Sequence, residues 1–350
     1  MTQHPPTRDR LHWWMTGAHL WILGGLFLDG WHHIHDPGLE TFFTPWHGVL
    51  YSGIGVALAI MWERRRRNRQ RGLRGADAVP GGYRLSVIGG AVFVAGGAID
   101  MAWHTLLGIE VGVEALLSPP HLVLAVAGTL VFTAPLRAAW STLPRRPSWF
   151  EVGPALVSLG GVAALLGFFT QYVSPFTHLY PTQTPSAARS ADLLAATGVA
   201  GIIVTTVITT GAVLVALRRW QLPFGAVTVI VGLSTLLMTT QRGTYGLLPA
   251  VLAATLLLDA WLWRGDDPER RVAPRIAGTA LPALLFTGYF VTLAVAGSLT
   301  WSVHLVTGSV VVAAAAGTLL AALVMAPGPA PVQPPPSAAP AVPEPMVTTR

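Results

Sequence analysis

The stretch YSGIGVALAIMWERRRRNRQRGLR, residues 51–74, runs from an apolar segment straight into a cluster of arginines, Arg64 to Arg67, Arg69, Arg71 and Arg74. An apolar run stopped by fixed positive charge predicts a transmembrane helix that ends at a membrane surface. The same unit recurs along the chain. Apolar stretches near 13–33, 45–62, 83–104, 119–139, 151–170, 192–217, 223–240, 245–263, 276–298 and 303–325 predict an all-α, polytopic transmembrane bundle of about ten helices. Composition agrees: 11% of the residues are charged, against roughly 25% in a soluble domain.

The loops set an orientation. Arg145 and Arg146, Arg218 and Arg219, and Arg264, Arg270 and Arg271 all follow even-numbered spans. Of the 22 basic residues, all arginine, only Arg189 and Arg242 fall opposite the N-terminus. The positive-inside rule then puts both ends in the cytoplasm. The net charge of +6 is thereby read as topology and contact with anionic lipid, with no nucleic-acid partner. The lack of lysine reads as the base composition of a high-GC bacterial genome, which places the chain in a bacterial plasma membrane. The expected organisation is a cytoplasmic segment over 1–12, a pair of related hairpins over 13–140, six further spans over 141–325, and a disordered Pro/Ala-rich tail over 326–350.

The histidines fall on the other side. His32, His33, His35, His47, His104, His121, His178 and His304 lie at the outer helix ends or in outer loops; only His4, His12 and His19 do not. Six of those eight belong to a repeated pattern, LDGWHHIHDPGLETFFTPWH (28–47) and IDMAWHTLLGIEVGVEALLSPPH (99–121). Each copy has Asp, His four residues later, Glu, Ser/Thr-Pro, then His. Asp29 and His33, and Asp100 and His104, share a helix face one turn apart. Thr44-Pro45 and Ser118-Pro119 read as the cap and first position of the next helix, which puts His47 and His121 in its first turn. One carboxylate and two imidazoles per hairpin make a ligand set for zinc, copper or non-haem iron. His32, His35, Glu40, Glu110 and Glu114 are alternative ligands, or groups that hold a ligand imidazole from behind. The chain has no cysteine, so thiolate sites are excluded. Trp31, Trp46 and Trp103 read as an interfacial belt.

The stretches DMAWH with LSPPH, and DGWHH with FTPWH, resemble the metal motif in the C subunit of particulate methane and ammonia monooxygenases. The likeness covers two stretches of about twenty residues, in the first third of the chain. It implies copper held by Asp100, His104 and His121 and by Asp29, His33 and His47, with zinc or iron as lesser candidates. It also implies membrane partner subunits and oxygenase- or oxidase-like chemistry.

Two other functions fit the residues: a non-enzymatic copper-handling protein, and a proton-coupled transporter in which the Asp/His pairs titrate near neutral pH. Further outer-face candidates are His178, Arg242 and His304. Asp259 in the eighth span is an intramembrane acid, a functional position by default, but its nearness to Trp261, Trp263 and Arg264 points to the inner interface.

Overall fold

A computed structural model describes residues 10–36, 42–108, 110, 112–265 and 267–325. Every apolar stretch predicted from sequence forms a helix. The elements are α1 (Leu11–His35), α2 (Pro45–Gln70), α3 (Arg84–Leu107), the short α4 (Val113–Leu117), α5 (Pro119–Phe132), α6 (Ala134–Thr142), α7 (Trp149–Phe169), α8 (Ala191–Arg219), α9 (Ala226–Thr240), α10 (Leu248–Arg264), α11 (Asp267–Val295) and α12 (Val303–Val324). α5 and α6 together form one span, Pro119–Thr142, interrupted at Thr133 ahead of Pro135, whose ring cannot continue the hydrogen-bond ladder. The tail 326–350 and the segment 1–9 lie outside the described residues.

Seven of these segments are long and apolar enough to cross a membrane. α1, α2 and α9 fall short on that measure for identifiable reasons. Histidines and tryptophans dilute α1, α2 places His47 and its arginines close to a short apolar run, and α9 has 15 residues. α2 does not stop before its arginines. It continues as helix through Gln70, with Glu63 paired to Arg66 at 2.9 Å and Arg67 at 2.7 Å, as helical i, i+3 and i, i+4 spacing allows.

α7 is the axis of the bundle. Beyond Glu151 in its first turn it is apolar on nearly every face, as a largely enclosed helix is, and it packs against α1, α5, α6, α8 and α9. The sequence WHHIH…PWH and its second copy fold alike: α1 pairs with α2 and α3 pairs with α5. Both pairs meet at glycine. A Cβ on Gly25 would lie 2.6 Å from the Leu50 Cα, and one on Gly89 would lie 2.9 Å from the Ala127 carbonyl oxygen. Small residues at such crossings let helix backbones touch where no hydrophobic effect drives them together. Gly25→Leu is therefore expected to lower unfolding stability by about 1–3 kcal/mol, read by denaturant titration in detergent. Wild-type stability in that variant would show that the hairpin tolerates wider spacing.

Asp259 has a structural partner. Its carboxylate, 1% exposed, accepts from the backbone N–H of Val227 at 3.0 Å and of Thr228 at 2.9 Å, and from the Thr228 hydroxyl at 2.7 Å. It caps the N-terminus of α9 from the neighbouring α10, where the first N–H groups of a helix have no partner of their own. These bonds give the acid a structural role: it holds two helices together.

Candidate metal centre

Asp29 and His33 project from the last two turns of α1, and His47 from the first turn of α2. His33 Nε2 lies 3.7 Å and His47 Nε2 3.5 Å from Asp29 Oδ2. In the second hairpin His104 Nε2 lies 3.4 Å and His121 Nε2 3.3 Å from Asp100 Oδ1. Within each triad the candidate ligand atoms all lie within 4.8 Å of one another. The six residues singled out from sequence thus form two separate triads of the same composition.

The carboxylates are deeply placed, Asp29 being 7% and Asp100 1% exposed. An oxygen on each, Asp29 Oδ1 and Asp100 Oδ1, is buried and makes no hydrogen bond. The imidazole approaches to Asp100 Oδ1 are contacts of ion-pair length, not aligned hydrogen bonds. A buried, unsatisfied carboxylate oxygen is costly in an apolar setting. At Asp100 the orphaned oxygen is the one both rings approach, and a cation there offsets that cost; at Asp29 the rings approach Oδ2, the other oxygen, with the same donor set, so the residues of both triads fit a metal ion.

The backs of the rings fix which nitrogen faces inward. His47 Nδ1 donates to the Phe42 carbonyl at 2.8 Å, which leaves the lone pair on Nε2. His121 Nδ1 lies 2.9 Å from the Ser118 hydroxyl. His104 Nδ1 lies 3.0 Å from Glu110 Oε2, close but off the hydrogen-bond direction, and the other Glu110 oxygen accepts from Trp103 Nε1 at 2.5 Å. Partners on Nδ1 set the tautomer and the ring orientation of metal-binding histidines. The expected caps divide accordingly. The Thr44 hydroxyl accepts from the His47 N–H at 3.2 Å, whereas Ser118 spends its hydroxyl on the His121 ring and makes no cap bond.

The remaining candidates are placed elsewhere. His32 stacks on Trp46 at 3.7 Å between centroids, and His35 stacks on Trp31 at 4.3 Å while its Nδ1 meets the Trp31 carbonyl at 2.8 Å. Glu114 is exposed and lines a shallow surface hollow with Trp103. His304 is exposed in the first turn of α12, and Glu40 lies outside the described residues. The tryptophans read as a belt also act as partners, Trp31 and Trp46 to histidines and Trp103 to Glu110.

Both triads open on one cavity of about 660 Å³. Phe93, Leu124, Phe132, Leu165 and Phe168 line its apolar part, while Gln171, His178, Tyr180, Arg189 and Arg242 line its polar part. Burial, reinforced by the charges of Arg242 and then Arg189, pushes His178 down to about 4, so its ring is neutral at neutral pH.

Sequence reading missed two residues here, Phe42 and Tyr51, and the partner of a third, Gln241. Phe42 stacks on His47 at 4.9 Å and its centroid lies 6.2 Å from that of His104, so one ring touches both triads. Tyr51 lines the cavity beside His47, at 6.3 Å. Gln241, fully buried, donates from Nε2 to the Phe27 carbonyl at 2.8 Å and pins α1 two residues before Asp29. A signal for Phe42 was present: five residues before the terminal His, the second copy places the buried Leu116. Comparison with protein-family models, with curated proteins and with solved structures found no match.

Proposed function

We propose that this chain is an integral membrane metalloprotein with two His₂Asp sites at the extracytoplasmic face, and that both hold copper. One observation carries the reading: the same three residue types converge twice, within 4.8 Å, with Nε2 turned inward. The ligand chemistry supports copper, since imidazole suits it and the divalent affinity order peaks at Cu²⁺. The proposed topology has ten spans with both ends in the cytoplasm of a bacterial plasma membrane, supported by the arginine distribution. α1, α2 and α9 then cross the membrane because their neighbours cover their polar and short faces.

The cavity beside both triads favours an oxidoreductase over a carrier. An enzyme needs room for a substrate next to an open coordination position, whereas a carrier needs labile ligands and an exit. Three protein ligands leave such a position at each site. Membrane partner subunits belong to this proposal, on the strength of the motif resemblance alone.

Metal analysis of the purified protein tests the reading. Wild type is expected to hold two copper ions per chain, and a His33→Ala, His104→Ala chain none. Unchanged metal content in the double variant would remove the metalloprotein reading.

A further inference from the structure

All the arginines except two follow the cytoplasmic pattern, and those two, Arg189 and Arg242, both line the cavity shared by the triads. They arrive from different segments. Arg189 closes a turn with Ser186, through backbone hydrogen bonds of 2.9 and 3.2 Å, just before α8. Arg242 follows α9. Among the described residues, neither guanidinium has a carboxylate within 4 Å. Guanidinium groups without a carboxylate partner offer forked donors for a planar anion.

The rest of the cavity is of a different nature. It reaches from His121 in the first turn of α5 to Phe132 at the last residue of that helix, a rise of about 16 Å. Its walls along that length are mainly apolar, with leucine and phenylalanine foremost. A volume of about 660 Å³ is that of a drug-sized ligand and leaves no room for a lipid with two full acyl chains. Divalent metal in the triads would add positive charge to the same space.

We infer that the cavity binds a single-chain anionic amphiphile, its carboxylate-like head between Arg189 and Arg242 and its apolar body laid past the triads toward Phe132. This names the ligand class for the metalloprotein proposed above and shares its cavity. The two claims fail separately, because metal is counted and amphiphile binding is titrated on the same samples.

The test uses the full chain in phosphatidylcholine nanodiscs, with empty discs as the partition control, titrated with laurate, dodecanol and acetate. Laurate is expected to saturate one site per chain, at least about tenfold tighter than dodecanol, with acetate far weaker. Arg189→Gln with Arg242→Gln should abolish the laurate preference at unchanged metal content, and the two Arg→Lys changes together should keep only part of it, since lysine retains the charge but not the fork. Each single Arg→Gln change is expected to lose part of it, which covers a double variant that does not fold. Equal binding of dodecanol and laurate, or of acetate and laurate, would overturn the proposal. So would loss of laurate binding when phosphatidylglycerol replaces phosphatidylcholine, which would point to a lipid headgroup site. Laurate binding by a metal-free wild type would leave this inference standing and sink the copper reading. Two bound metals without laurate binding would do the reverse.

Discussion

With both triads loaded as proposed, an Asp100→Asn chain is expected to lose one of the two metal ions outright, and a Glu110→Gln chain to keep both but bind one of them about 10- to 100-fold more weakly. The difference follows from position. Asp100 supplies the anionic oxygen that sits 3.4 Å and 3.3 Å from the Nε2 atoms of His104 and His121. An amide there is a poor ligand and no longer neutralises the ion. Glu110 stands one step back, 3.0 Å from His104 Nδ1 on the far side of the ring. Its loss leaves the ligand in place with its basicity and orientation relaxed. The first triad serves as an internal control, since His47 is held from behind by a backbone carbonyl that neither substitution touches. Metal titration followed at each site, with Asp29→Asn as the reciprocal variant, reads both effects. Equal losses from Asp100→Asn and Glu110→Gln would show that Glu110 is itself a ligand and that the triad is drawn wrongly.

The second large effect is on stability. Asp259→Ala should destabilise the protein by about 3 kcal/mol, since hydrogen bonds to a charged group contribute about 1.5–3 kcal/mol each and are not additive. The change strands the N–H groups of Val227 and Thr228 beside a side chain that is 1% exposed, where unpaired donors are costly. Asp259→Asn retains one acceptor oxygen and should fall between alanine and wild type. Denaturant unfolding in detergent measures the series, and metal content should not move. An alanine variant within about 1 kcal/mol of wild type would mean that solvent reaches and caps α9.

The fold was legible because a membrane span declares itself by length and hydropathy, whatever it packs against. The i, i+4 spacing of Asp100 and His104 fixed their shared face, and Pro119 fixed where the next helix starts, so both triads could be assembled on paper. What sequence did not give were contacts between segments far apart in the chain. The role of Asp259 stayed open between a functional and an interfacial acid because nothing local reveals that the start of α9, more than thirty residues earlier, needs its oxygens. His32 and His35 carry the same chemistry as His33, and only the helical turn aims them at Trp46 and Trp31 instead. Phe42 was passed over because an aromatic before a helix is common, and its contact with His104 crosses from one hairpin to the other.

The unbroken run of α2 through its arginines has a geometric result. At 26 residues the helix is about 39 Å long, against a hydrocarbon core of about 30 Å. Guanidinium groups from Arg64 onward would rest among the phosphates of one leaflet, and His47 stands about 26 Å away along the same rigid rod. The depth of the first triad is then set by counting residues between the two, like a gauge clamped at one end. Inserting a single residue between Ser52 and Met61 would lift the His47 ring by about 1.5 Å and swing it by about 100°, away from Asp29. The second triad, carried on α3 and α5, would keep its register.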